Sequence, residues 1–199
     1  MKYAKEFEKL FNNNKFPVFT IGDIMLAFEG SGMSYEYLRL MLHKYARSGR
    51  IKRISKGVYT FHNDTIVVGF AFKPFYYGLE SALSLLGFST QGANNAVMTI
   101  RSVRTGVRSF EGRNYRVMRI KSKYFFGYKL LQYDSFWVPV SDLEKTFIDM
   151  EYFKIGIRKE LVREAISKLD MNRLNKYLKA YNVSFGRKVA GYFADILQQ

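Results

Sequence analysis

The sequence predicts an α+β protein whose N-terminal part is helical and whose body is an α/β domain with a mixed sheet and C-terminal helices. Three observations predict it. The first third carries three segments of helical period and then two short runs around a glycine turn; alternating apolar runs fill the middle; the helical period returns at Ser141. With 48% apolar and 17% aromatic residues and 3 prolines, a chain of 199 residues can bury ordinary cores, which argues against disordered and low-complexity classes. The length suits two domains, expected at residues 1–66 and 67–199.

Residues 2–11 place Tyr3, Phe7, Leu10 and Phe11 at the spacing of one buried helical stripe, which Asn12-Asn13-Asn14 ends. Thr20 opens a short second helix with Asp23 three residues on, a near capping box. Ile21, Ile24, Met25 and Phe28 are expected inward, and Gly30-Ser31-Gly32 breaks the helix. Ser34 caps a third helix to about Ser48, with Leu38, Met41, Leu42 and Tyr45 as the buried stripe and Gly49 at the stop. Its other face carries Glu36, Tyr37, Arg39, Leu40, His43, Lys44 and Arg47, with Tyr35 at its head. Residues 51–61 read as two strands around Ser55-Lys56-Gly57. Three helices and a basic hairpin make a winged helix-turn-helix, in which the third helix enters the major groove and the hairpin follows the phosphates or minor groove.

Beyond the apolar run 65–72 and Lys73-Pro74, residues 76–87 read as a helix with a glycine stop. Runs at 96–100, 115–120 and 135–140 read as strands of a mixed sheet. Ser141-Asp142-Leu143-Glu144 opens a helix through Asp149, with Glu144 expected to cap Ser141. Further helices fit residues 159–169, 172–181 and 185–197.

Charge narrows the function. There are 32 Lys and Arg against 17 Asp and Glu, a formal charge of +15, which favours a polyanionic partner, nucleic acid before an acidic protein or membrane surface. Residues 39–56 hold Arg39, Lys44, Arg47, Arg50, Lys52, Arg53 and Lys56 and no acid. Residues 101–129 hold Arg101, Arg104, Arg108, Arg113, Arg116, Arg119, Lys121, Lys123 and Lys129 against Glu111 alone. From Ser141, 11 basic and 8 acidic residues mix as on solvated helix faces. Double-stranded DNA is therefore the expected partner. Glu36, Tyr37 and Leu40 are expected at base edges, Arg39, Lys44 and Arg47 at phosphates, and Lys52, Arg53 and Lys56 along the backbone. Arg101, Arg104, Arg113, Arg116 and Arg119 are expected to form one strip that extends the DNA footprint, with capture of an acidic partner as the competing use. Tyr124, Phe125, Phe126, Tyr128 and Tyr133 suit a core better than a single-strand stacking platform.

No cysteine is present, which removes disulfides, thiolate metal sites and cysteine nucleophiles. His43 and His62 lack ligand spacing to each other or to carboxylates, and no phosphate loop, zinc-protease helix or serine elbow occurs. No catalytic centre, metal or cofactor is expected. Asp134, Asp142 and Glu144, with Asp149 and Lys145 nearby, leave a metal-dependent nuclease as the alternative class. Against it, Asp142 and Glu144 sit where carboxylates complement a helix dipole, and Asp149 is placed to orient Lys145 one turn earlier. A protein- or RNA-binding module that never touches an operator is a third reading. No apolar run approaches a membrane span and the N-terminus alternates charged and apolar residues, so a cytoplasmic protein without a membrane partner is expected.

Four motifs in this order resemble the AbiEi family of antitoxin-type transcriptional regulators. They are Lys56-Gly57-Val58-Tyr59; Tyr76-Tyr77-Gly78 leading into Ala82-Leu83 and Leu86-Gly87; Tyr124-Phe125-Phe126-Gly127; and Val140-Ser141-Asp142-Leu143-Glu144-Lys145-Thr146-Phe147-Ile148-Asp149. The resemblance covers most of the chain; the tail beyond about Glu160 matches nothing in it. It implies a repressor that binds its own operator and serves as antitoxin to a nucleotidyltransferase-like toxin from the same operon; in some members the C-terminal domain supplies the antitoxin activity. The partners so implied are operator DNA and the cognate toxin. Oligomeric state stays open, a monomer binding DNA repeats cooperatively being one form.

Overall fold

The computed structural model describes residues 2–13, 17–88, 94–156 and 159–197; Asn14 lies outside them. The chain divides into two compact units, the first of Met1–Lys73 with Phe110–Arg113 and Gln132–Trp137, the second of the remainder.

In the first unit, α1 (Ala4–Phe11) is followed by β1 (Phe19–Thr20), α2 (Ile21–Ala27), α3 (Tyr35–Arg47), β2 (Lys52–Ser55) and β3 (Val58–Thr60). Phe7, Ile24, Leu38, Met41 and Tyr45 are 0–1% exposed and share one core with Tyr3, Phe11, Phe28 and Leu42. The stripe expected from α3 is thus in place, and that of α1 except for Leu10, which is 38% exposed. Met25, also expected inward, is 36% exposed, because the short α2 turns only Ile24 fully inward. Thr20 and Asp23 cap α2 reciprocally: Asp23 N–H donates to Thr20 Oγ1 at 3.1 Å, and Thr20 N–H to Asp23 Oδ2 at 2.7 Å. β1 lies beside β3 in a small sheet of order β1-β3-β2, an antiparallel strand that the sequence did not announce. The helices and this sheet form a winged helix. A 3-10 helix over Thr65–Phe72 follows, capped by Asp64, whose second carboxylate oxygen accepts the Tyr133 hydroxyl at 2.6 Å.

The second unit is built on a six-stranded mixed sheet of order β6-β7-β5-β4-β9-β8. Its elements are β4 (Phe75–Gly78), α4 (Leu79–Leu85), β5 (Asn95–Thr99), β6 (Gly106–Phe110), β7 (Arg113–Arg119), β8 (Tyr128–Tyr133), β9 (Phe136–Ser141), α5 (Leu143–Tyr152), α6 (Lys159–Ile166), α7 (Met171–Leu178) and α8 (Val183–Leu197). β4 runs antiparallel to β5 and parallel to β9, and β5 parallel to β7. Tyr76, Ala96 and Met98 on one sheet face join residues of α4, α5, α7 and α8 in the larger core. Tyr76-Tyr77-Gly78, expected in a helix, is strand instead. All four residues of β4 are buried between two neighbouring strands, where aromatic side chains pack well and no polar face is left to show an alternation.

Candidate nucleic-acid interface

The third helix of the winged unit is positioned by its cap and its core stripe. Ser34 Oγ accepts the Tyr37 N–H at 3.1 Å, and Leu38, Met41, Leu42 and Tyr45 fix the helix against α1 and α2. Tyr35, Glu36, Arg39, Leu40, His43, Lys44 and Arg47 are exposed along the other side. Tyr37 departs from its expected place. It is half-buried, its ring meets the Tyr3 ring edge-on at 5.3 Å, and its hydroxyl is enclosed without a hydrogen-bond partner among the described residues, so the ring supports the core and does not project with Leu40.

The hairpin places Lys52, Arg53 and Lys56 unequally. Lys52 pairs opposite Thr60 and Arg53 opposite Tyr59, so the pleat sends them to opposite faces of the ribbon. Lys52 is half-buried, Arg53 exposed with its Nε donating to the Ser55 carbonyl at 3.3 Å, and Lys56 exposed at the tip. The tip needs Gly57, whose φ of +77° lies in the left-handed region. Arg50, by contrast, is removed from the cationic face: its guanidinium meets Glu8 at 2.7 Å and lies over the Tyr45 ring. The same Glu8 accepts the Tyr45 hydroxyl at 2.6 Å, and burial together with this bond pushes that phenol up to about 12. Among the described residues, Arg39, Lys44, Arg47, Lys52 and Lys56 have no acidic partner.

The second basic stretch does not form the single strip expected of it. Arg113, Arg116 and Arg119 stand on β7, whereas Arg101 and Arg104 stand in the segment between β5 and β6. Arg116 sits opposite Ala96 and Arg119 opposite Thr99 on β5, three residues apart on one strand, so they point to opposite sheet faces. All of these arginines are exposed, and the Arg104 carbonyl accepts Arg108 Nη2 at 2.7 Å.

Of the carboxylates that suggested a nuclease, Asp134 is exposed, with Ser135 Oγ 3.4 Å from its Oδ2, and the others are engaged by protein donors. Asp142, not Ser141, caps α5: its Oδ1 accepts the Lys145 N–H at 2.9 Å and its Oδ2 the Tyr177 hydroxyl at 2.6 Å. Ser141 ends β9, with its hydroxyl 2.6 Å from Thr146 Oγ1. Glu144, expected to cap Ser141, is buried and accepts the Asp170 N–H at 2.7 Å, with Arg173 Nη1 at 3.5 Å. Asp149 and Lys145, both fully buried, form an ion pair one turn apart, as the spacing predicts. The Tyr76 hydroxyl donates to Asp149 at 2.7 Å, Lys145 Nζ to Tyr181 Oη at 3.2 Å, and the ammonium lies 5.3 Å from the Phe126 ring centre. Burial lowers the Lys145 ammonium and raises the Asp149 carboxyl, while each opposes the other's shift. Among the described residues no three His, Asp or Glu side chains are gathered as a metal cluster. His43 is exposed on α3, and His62 meets Phe136 edge-on at 5.7 Å, its imidazole pulled down by burial.

Helices and small sheet together form a winged helix with a cationic face on α3 and the hairpin. Residues 8–62 are similar to the family model described as "Transcriptional regulator, AbiEi antitoxin". No curated protein matches the sequence. Among solved structures, the crystal structure of the RV2827C protein from Mycobacterium tuberculosis aligns over 98% of this chain and 76% of its own, with a TM-score of 0.66 at 14% identity, a likeness of fold. Among the described residues no helix is long and apolar enough to cross a membrane.

Proposed function

We propose that the protein represses its own operon by binding operator DNA and counteracts the operon's toxin, a nucleotidyltransferase-like enzyme, in the cytoplasm. In this reading the first unit holds DNA through α3 and the hairpin, and the second supplies the antitoxin function. No catalytic step is invoked. The observation that supports DNA binding is the set Arg39, Lys44, Arg47, Lys52 and Lys56, exposed or half-exposed on the elements a winged helix presents to DNA and without acidic partners among the described residues. The test is a gel shift of the full chain on its own upstream DNA and on random duplex at one salt concentration. Retardation of the upstream DNA at about 10³-fold lower protein or below supports the reading, since specific sites exceed non-specific ones by about that ratio or more. Equal affinity for both duplexes sinks the operator assignment, and failure of co-expression to rescue growth against the adjacent gene's product sinks the antitoxin one. Cleavage of either duplex on adding Mg²⁺ would favour the nuclease instead.

A further inference from the structure

The exposed face of α3 is not uniform. At about 100° per residue, Glu36, Leu40, His43 and Arg47 form a ridge opposite the buried Leu38, Met41, Leu42 and Tyr45, while Arg39 and Lys44 flank it on either side. In a major groove the ridge faces base edges, the flanks face the phosphates, and the N-terminal half of the helix makes the base contacts. Glu36 and Leu40 are the ridge residues of that half. Neither suits a merely electrostatic surface. Leu40 leaves 52% of its surface in water, and Glu36 is the single carboxylate on a face of cations, with no hydrogen bond or ion pair among the described residues. Each suits a base. An ionised carboxylate only accepts hydrogen bonds, and in the major groove the amino donors are cytosine N4 and adenine N6. Adenine sets an acceptor nitrogen beside its amine, which repels a carboxylate; cytosine does not. An exposed leucine matches the thymine methyl.

We propose that Glu36 and Leu40 are the specificity-determining residues of α3, reading a cytosine amine and a thymine methyl within two base pairs of each other. The spacing follows from the helix: four residues rise about 6 Å, less than two base steps of about 3.4 Å. The inference rests on the reading of α3 as the groove helix. The competing role for Glu36 is to complement the helix dipole in the first turn. That role changes stability without changing the DNA sequence selected.

The test is selection from a random duplex pool by the full-length wild type, Glu36→Gln and Leu40→Ala, each first checked by thermal melting. The wild type enriches a C and a T within two base pairs. Glu36→Gln converts that C to A, because glutamine pairs with adenine N6 and N7. Leu40→Ala loses the T preference alone. Deoxyuridine in place of that thymidine weakens the wild type by about fourfold, the value of one buried methyl, and leaves Leu40→Ala unchanged. A defined wild-type site whose bases both variants keep, or which tolerates deoxyuridine without loss, overturns the inference and leaves DNA binding standing. A wild-type pool that enriches nothing overturns both.

Discussion

Lys44 on α3 and Lys145 on α5 carry the same charge on the same kind of element, in opposite surroundings. Lys44 is exposed and has no acidic partner among the described residues; Lys145 is 0% exposed, paired with Asp149 and enclosed by Tyr76, Phe126 and Tyr181. A desolvated cation has to be answered inside the fold, whereas a hydrated one contributes little to stability and stays available to a ligand. The difference separates the charges that build this protein from those left in water.

The comparison breaks most readily at the buried end. Asp149→Ala leaves Lys145 without its counter-ion and is expected to remove about 3–5 kcal/mol in a denaturant titration. Lys145→Met with Asp149→Leu should recover most of that, since apolar pairs of similar volume often replace buried ion pairs without loss. A single variant that unfolds like the wild type would show that the pair is not structural. Next comes Gly127, with φ +71° and an ideal Cβ only 2.9 Å from both Lys145 Cβ and a Tyr177 ring carbon. Gly127→Ala is expected to lower stability by about 1–3 kcal/mol.

Alkaline titration probes an intermediate case. Tyr45 and Tyr133 are each pushed up to about 12 by burial and by hydrogen bonds to Glu8 and Asp64. A phenol raised on folding stabilises fully below its unfolded value of about 10, and that stabilisation is lost as pH rises through the folded value. Stability measured from about pH 9 to 12.5 should therefore fall across about 10 to 12, and Tyr45→Phe with Tyr133→Phe should flatten that fall. An unchanged slope would separate these phenols from the fold's charge balance. At the exposed end, Lys52, Arg53 and Lys56 changed together to Ala should shift unfolding by no more than about 0.5 kcal/mol. The same variant should lower the salt slope of DNA binding by about 0.9 for each phosphate that the hairpin no longer neutralises. Wild-type salt dependence would remove the hairpin from the interface.

What could be read from the sequence was what repeats locally. The helical stripes of α1 and α3, the caps at Thr20 and Ser34, the turn at Gly57 and the pairing of Lys145 with Asp149 all depend on residues within a few positions of one another. What could not be read depends on distant partners. β1 is two residues long and exists because β3 lies beside it. β6 and β8 are edge strands whose side chains are mostly exposed, so they show no apolar alternation. On α3, periodicity separated buried from exposed positions but could not place Tyr37, whose half-buried angle is decided by the Tyr3 ring at the head of α1. Glu144 was misread for the same reason: its acceptor role is filled from Asp170, 26 residues away.

That last bond also sets a kinetic property. The amide of a helix N-cap has no partner within its helix, and water commonly takes that place. The Asp170 amide instead points into a carboxylate that is 1% exposed, at the junction of α7 with α5. Its deuterium uptake is therefore tied to separation of those two helices and not to fraying of α7 alone. Exchange at this one backbone proton is therefore expected to count separations of α7 from α5.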